Sequence, residues 1–242
     1  MLGLSDRQVQ LLKAIIDTYI GDAEPVGSVE VVKKYNLKYS AATVRNEMAH
    51  LFNLGYLEMP HTSSGRVPTK QAYRLYLDEM MTEDELPVLQ EIALKQRLWP
   101  NRFQFERMMR DTVVALSEIT KMLSIATTDD GYVVHAGAVN VLDNKEFWEI
   151  DVAKSALMLL DNYAMLEKVF QGTRFGSDVN CIIEGEIGMD SLKKCTVVFG
   201  RYQTRNKSGY VAVLGPSRMN YAAVIPAVRY SKSLIQELTE AW

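Results

Sequence analysis

Within seven residues, Ser40-Ala41-Ala42-Thr43-Val44-Arg45-Asn46, the chain carries side chains suited to pairing with the edges of nucleic-acid bases. A guanidinium donates two parallel hydrogen bonds to guanine, a carboxamide donates and accepts at adenine, and a threonine hydroxyl reaches a base edge or a phosphate. Thr43, Arg45 and Asn46 are the candidates for base contact, and Ala42 is small enough for close approach. A second cluster, His61-Thr62-Ser63-Ser64-Gly65-Arg66, combines hydroxyls, a glycine and a cation without a carboxylate. That composition suits contact with a sugar-phosphate backbone or a minor groove. Ser40, His61, Ser63, Ser64, Gly65, Arg66 and Lys70 are the candidates for that contact. Each has a plainer use as well. Arg45 and Asn46 can be surface residues balanced by Glu47, and Ser and Gly populate exposed turns for conformational reasons.

Other chemistry is poorly provided for. The three histidines are His50, His61 and His135, and two of them fall inside the segment just described. Only His135 is left for acid-base work, beside Asp129, Asp130 or Cys195, and a histidine in a surface hairpin is ordinarily solvated. The two cysteines, Cys181 and Cys195, lie in apolar runs and read as buried, reduced thiols. They are too few for a disulfide framework or a four-ligand zinc site. The chain is therefore expected not to be an enzyme and to need neither cofactor nor metal.

The elements that would position the first cluster follow from pattern. Ser5 caps a helix running to Ile20, with Val9, Leu12, Ile16 and Tyr19 at helical spacing. Glu24-Pro25-Val26-Gly27 breaks the chain, and Ser28 is expected to cap a short helix, Val29 to Tyr35. Ser40 caps a third helix whose buried stripe is Val44, Met48 and Leu51 and which stops near Gly55. Its outer face then presents Ala42, Thr43, Arg45, Asn46 and Ala49, and its amino end points backbone amides toward any phosphate. Tyr56 to Met59 reads as a strand, Pro60 to Gly65 as a turn and Arg66-Val67-Pro68 as the returning strand, after which Thr69 caps a fourth helix. Helix, helix, helix and hairpin in that order make a winged helix-turn-helix.

The whole chain sets bounds on this reading. At 242 residues two domains are expected, with residues 1–82 as the winged helix, 83–102 as a helical linker and 103–242 as a regulatory domain. The apolar fraction of 48 % and charged fraction of 24 % are those of a globular protein. A net charge of -3 excludes binding through bulk positive charge. Residues 1–82 themselves carry nine Lys/Arg against nine Asp/Glu, so any nucleic-acid contact depends on where the cations stand. No run approaches a membrane span and Met1 to Asp6 is unlike a secretory signal, which points to the cytoplasm.

The stretch SAATVRNEMAHLFNLGYLEMPHTSSGRVPTKQAYRLYLDEM resembles the amino-terminal domain of the HrcA heat-inducible transcription repressors, and the resemblance runs from Leu4 to Met80. The segment from Gly185 to Leu238, which contains IGMDSLKKCTVVFGRYQ and GYVAVLGPSRMNYAAVIPAVRYSKSLIQEL, is similar to the family's closing segment. LSEITKML at 116–123 and AVNVLDNKEFWEID at 138–151 are similar to segments between. The resemblance implies a repressor of chaperone operons that binds an inverted repeat in double-stranded DNA, is released on heat shock, pairs as a homodimer and regains its active form with the chaperonin GroEL. It also implies a GAF-like second domain, usually with an inserted segment that forms much of the dimer contact. Only fourteen residues separate Leu123 from Ala138, room for one hairpin, so the chain reads as a trimmed member, roughly a hundred residues, or one domain's worth, short. The dimer must then use another surface, for which the helix Phe103 to Met122 and the helix from Ala222 are the candidates, although each can equally be core of its own domain.

Pattern alone gives the second domain helix 103–122, hairpin 123–136, helix 153–170, strand 179–183, strands 195–202 and 209–214, and helix 221–239. Helices beside a mostly antiparallel sheet make an α+β domain, in agreement with the GAF-like fold. Such domains often hold small ligands, and Cys181, Glu184, Tyr202 and Arg218 are the residues that could line a pocket. In that alternative the chain is a winged-helix repressor responding to a metabolite. Arg218 has the plainer reading of tying its turn to the sheet.

Overall fold

The computed structural model describes residues 3–61, 65–82, 84–171 and 178–240. The chain divides into two compact units, Met1–Thr82 and Glu83–Trp242.

In the first unit α1 (Asp6–Asp22) begins at a capping box, with the Ser5 hydroxyl accepting from the Gln8 amide and the Gln8 side chain accepting from the Ser5 amide. Its face of Leu11, Leu12, Ile15 and Ile16 is buried. Helix α2 (Ser28–Lys34) starts one residue earlier than expected. Gly27 is its cap and the Glu30 carboxylate accepts from the Gly27 amide at 3.2 Å, while Ser28 is a buried first-turn residue and not the cap. Helix α3 (Ala41–Asn53) follows, then β1 (Leu57–Glu58) and β2 (Val67–Pro68) as an antiparallel pair with Leu57 opposite Pro68. Val26 extends this small sheet through a bridge to Arg66. Helix α4 (Lys70–Leu75) continues into a π turn at Tyr76–Met80, where the buried Tyr76 donates to Asp17 of α1 at 3.0 Å.

The second unit is an antiparallel sheet between two helical layers. Strands β3 (Leu123–Thr128), β4 (Val133–Ala136), β5 (Asn180–Ile183), β6 (Cys195–Gln203) and β7 (Ser208–Pro216) are ordered β4-β3-β7-β6-β5, every pair antiparallel. Alternation along the strands sends Leu123, Ile125, Cys195, Val197, Phe199, Tyr210, Ala212 and Leu214 to one face. There they meet Val152, Ala156, Leu159, Leu166 and Phe170 of α7 (Ile150–Asp161) and α8 (Tyr163–Gln171). Phe170 stacks on Tyr210 at 4.6 Å between centroids and packs against Phe199 at 5.0 Å. The other face is covered by α6 (Phe105–Thr120) and α9 (Tyr221–Thr239), and α5 (Val88–Leu98) packs on both of these helices. Residues 83–102, expected as a linker, thus contribute a helix to the second unit's packing.

Two further expectations are altered, and of the two readings of α6 and α9 the core one holds. The single helix 153–170 is two, broken at Asn162, whose side chain accepts from the Met165 amide at 3.1 Å and so begins α8. Only Cys195 is fully buried, and Cys181 is half-buried. The two helices offered as dimer surfaces bury their apolar residues within the unit. Met108, Val113 and Leu116 of α6, and Val224, Val228, Leu234 and Ile235 of α9, are all inaccessible.

Candidate nucleic-acid interface

Helix α3 is fixed at both ends by its own sequence. The Ser40 hydroxyl accepts from the Thr43 amide at 3.1 Å and lies 2.9 Å from the Thr43 hydroxyl. At the other end Gly55 adopts φ +81°, with its amide bonded to Phe52 O and the Tyr56 amide to Leu51 O, both at 3.0 Å. This pair of bonds is a Schellman motif, which closes the helix and turns the chain into β1. Val44, Met48 and Leu51 are buried, as their spacing requires, and each contributes about 1.5–3 kcal/mol of burial.

The opposite face carries Ala42, Arg45, Asn46, Ala49, His50 and Asn53, all exposed. Among the described residues neither Arg45 nor Asn46 has a side-chain hydrogen bond or ion pair. Glu47, offered above as their counter-charge, turns the other way. It pairs with Arg7 of α1 and accepts from Gln8 Nε2 at 2.9 Å, and its side chain is only 13 % exposed. Thr43 differs from its neighbours. It is half-buried on the side of α3 that meets Arg7, Leu37 and Tyr39, and its hydroxyl is engaged with Ser40. The helical period places Thr43 and Glu47 on one edge, one turn apart, so Thr43 stands at the border of the exposed face.

The wing is built on a close approach of backbones. A Cβ on Gly65 would lie 2.5 Å from Val26 O and 2.6 Å from Pro25 C, so glycine is needed there for space; the sequence reading had valued its flexibility. Arg66 exchanges backbone hydrogen bonds with Val26, both 2.9 Å, and its half-buried guanidinium lies over the Phe52 ring at the end of α3, 5.4 Å from the centroid. Arg66 therefore ties the wing's root to α3. His61 is exposed and Lys70 half-buried at the first position of α4. The Thr69 hydroxyl caps α4 and donates to Gly55 O at 2.7 Å, joining wing, α3 and α4. Ser63 and Ser64 lie outside the described residues. Lys38, exposed in the turn before the Ser40 cap, was missed by the sequence reading. A cation two residues ahead of a helix cap was the available signal.

Residues 3–82 match the family described as winged helix-turn-helix transcription repressor, HrcA DNA-binding, and residues 68–225 match the HrcA protein C terminal domain. The chain belongs to the HrcA family. Among its relatives, the heat-inducible transcription repressor HrcA of Acetivibrio thermocellus is 25 % identical, over 98 % of this chain and 97 % of the relative. That of Clostridium perfringens strain 13 is 26 % identical, over 98 % of each. The HrcA of Clostridium botulinum strain Eklund 17B is 42 % identical over 126 residues, 52 % of this chain and 37 % of the relative. The alignment to the first runs over 339 positions against the 242 residues here, leaving at least 97 positions (339 less 242) without a counterpart. A crystal structure described as a hypothetical protein shares the fold with a TM-score of 0.78 at 18 % identity, covering 98 % of this chain and 99 % of that one.

As an HrcA family member the chain is a winged-helix transcription repressor by descent, and two of the residues considered for a pocket stand far apart. Arg218 and Tyr202 belong to opposite ends of the β6–β7 ladder, where Cys195 faces Pro216 and Tyr202 faces Gly209. Seven residues of strand separate them, about 23 Å. Tyr202 is buried and donates to Thr127 O at 2.7 Å. Arg218 donates from Nε and Nη2 to Glu146 at 2.7 and 3.1 Å and to Asn144 at 3.3 Å. It thus ties its turn to the segment before α7, not to the sheet. The acids near His135 are engaged as well. Asp129 pairs with Arg201 at 3.2 Å, and Asp130 pairs with Lys207 at 2.5 Å. The hydrogen bond from Lys207, and then that from Thr128, hold the Asp130 carboxyl down to about 2.

Proposed function

We propose that this chain is a heat-inducible transcription repressor that binds an inverted-repeat operator in double-stranded DNA as a cytoplasmic homodimer. The observation that carries the reading is the state of α3. Arg45 and Asn46 are exposed and uncommitted on a helix capped at both ends, and the helix's one carboxylate is drawn to the far side by Arg7 and Gln8. A helix so arranged can enter a major groove with donors foremost and no charge repelling the phosphates. Arg45 and Asn46 read bases, Thr43 contacts a base or phosphate from the border of the face, and Ala42 permits close approach. Ser40, His61, Ser63, Ser64 and Lys70 contact the backbone, Lys38 adds a cation beside them, and Gly65 and Arg66 hold the wing in place. This small set offsets the neutral charge of residues 1–82.

An electrophoretic mobility shift with an inverted repeat, run beside sedimentation of the free protein, tests the reading. A dimer that binds the intact repeat and discriminates against a scrambled one is expected. A monomer that binds only half-sites would remove the dimer and leave the winged helix standing. Release on heating belongs to the same reading, through opening of the less stable parts of the second unit. So does recovery with GroEL, which is tested by refolding heat-inactivated protein with and without the chaperonin and measuring operator binding.

A further inference from the structure

With α6 and α9 buried, the described residues of the second unit keep two exposed apolar groups, one of them on and just before α7. This group begins in the 3-10 turns that follow β4, Ala138–Asp143 and Lys145–Phe147, and continues along one side of α7. Val139, Leu142, Trp148, Ile150, Leu157 and Met158 are all exposed, Trp148 to 73 % and Ile150 to 77 %. They stand at the two 3-10 turns and on α7, which pack on one another. Trp148 donates its indole N–H to Leu142 O at 3.0 Å, and Ile150, Leu157 and Met158 are spaced i, i+7, i+8 on the face of α7 opposite the buried Val152, Ala156 and Leu159. Trp148, as an aromatic, can by itself carry about 150–250 Å², and five further exposed apolar side chains add to it. The largest apolar patch on a typical monomer is about 300–600 Å², and a stable interface covers about 800 Å² on each partner.

The charges on the same face identify the occupant. Lys154 and Asp161 flank Leu157 and Met158 and are both exposed. Among the described residues neither has an ion pair within the chain. When α7 is laid antiparallel against another α7 about a two-fold axis midway between Leu157 and Met158, Leu157 of each copy meets Met158 of the other. The same axis sets Lys154 of each against Asp161 of the other. An edge of α7 whose charges match themselves under two-fold rotation is what an isologous contact requires.

We propose that the face from Val139 to Met158, centred on Leu157 and Met158, is the homodimer contact of this chain. The proposal rests on the reading of the chain as a dimeric repressor. It gives the dimer a surface that does not depend on the positions its relatives have and it lacks. The second exposed apolar group, Val88, Leu89 and Ile92 on α5 with Trp99 and Phe103, has its helix cations Lys95 and Arg97 already paired with Glu237 and Glu118, and Arg102 covers its two aromatic rings at 4.4 and 4.5 Å.

Sedimentation equilibrium of the full chain decides the matter. Leu157→Lys should weaken the dimer at least tenfold while Leu89→Lys leaves it unchanged. Lys154→Glu and Asp161→Lys should each weaken it several-fold, and the two together should restore it, a result no folding defect can imitate. A wild-type dimer indifferent to all these changes overturns the face and leaves the dimer reading intact. A wild-type monomer at roughly 50 µM, where a contact of about −6 kcal/mol would already be half-formed, overturns both, while half-site binding in the mobility shift still reports on the winged helix.

Discussion

At Arg45 and Asn46 the question is what each side chain loses on truncation. Both are solvated and neither supports the fold, so Arg45→Ala and Asn46→Ala should leave thermal stability within about 0.5 kcal/mol of the parent. Each should cost about 1–3 kcal/mol of operator affinity and relax base preference at one position. Mobility shifts against an operator library measure both effects, and unchanged affinity would remove α3 as the reading element. The caps at Ser40 and Thr69 and the stripe Val44, Met48, Leu51 were legible from residue type and spacing because each rests on local geometry. Arg66 was legible only as a cation. Its seat on Phe52 and its pairing with Val26 join residues distant in sequence, and no local pattern encodes them. The partner of Glu47 was out of reach for the same reason, since Arg7 lies forty positions away.

At the scale of elements, the wing depends on Gly65 through space. Gly65→Ala drives a methyl group into the Pro25–Val26 backbone, where neither carbonyl can move without breaking the Val26–Arg66 bridge. A loss of about 1–3 kcal/mol is expected, read as a lower melting temperature with faster amide exchange at Val26 and Arg66. The turn before α7 depends on Arg218 in a comparable way. Glu146 is 8 % exposed and Arg218 14 %, so Arg218→Ala strands a buried carboxylate at a cost of about 3–5 kcal/mol. The same change should loosen the segment that carries Trp148 and weaken self-association along with stability, whereas an alanine at exposed Lys193 should do neither. Strands β3, β6 and β7 were legible because their runs are apolar and bounded by turns. The division between α7 and α8 was not, because apolar residues keep helical spacing on both sides of Asn162 and only its side-chain cap reveals the break.

For the whole molecule, the antiparallel sheet could be read from the order of the elements, but the packing behind each of its faces could not. Cys195 offers a way to observe that packing. It sits at 0 % exposure in the core between the sheet and α7, and burial first, with Glu146 and Glu184 adding, pushes its thiol up to about 12. At pH 8 the folded protein then holds very little reactive thiolate, against roughly a quarter for a free cysteine of pKa near 8.5. Labelling of Cys195 is consequently gated by opening of the second unit. In a Cys181→Ser background, reaction with a disulfide reagent at pH 8 should be negligible when the protein is cool. It should rise steeply over the same few degrees in which operator DNA is released, because both report loss of the packing that presents the α7 face. Operator release while Cys195 stays protected would mean that heat acts on the winged helix alone. Labelling that runs far ahead of release would mean that the second unit can open without letting go of DNA.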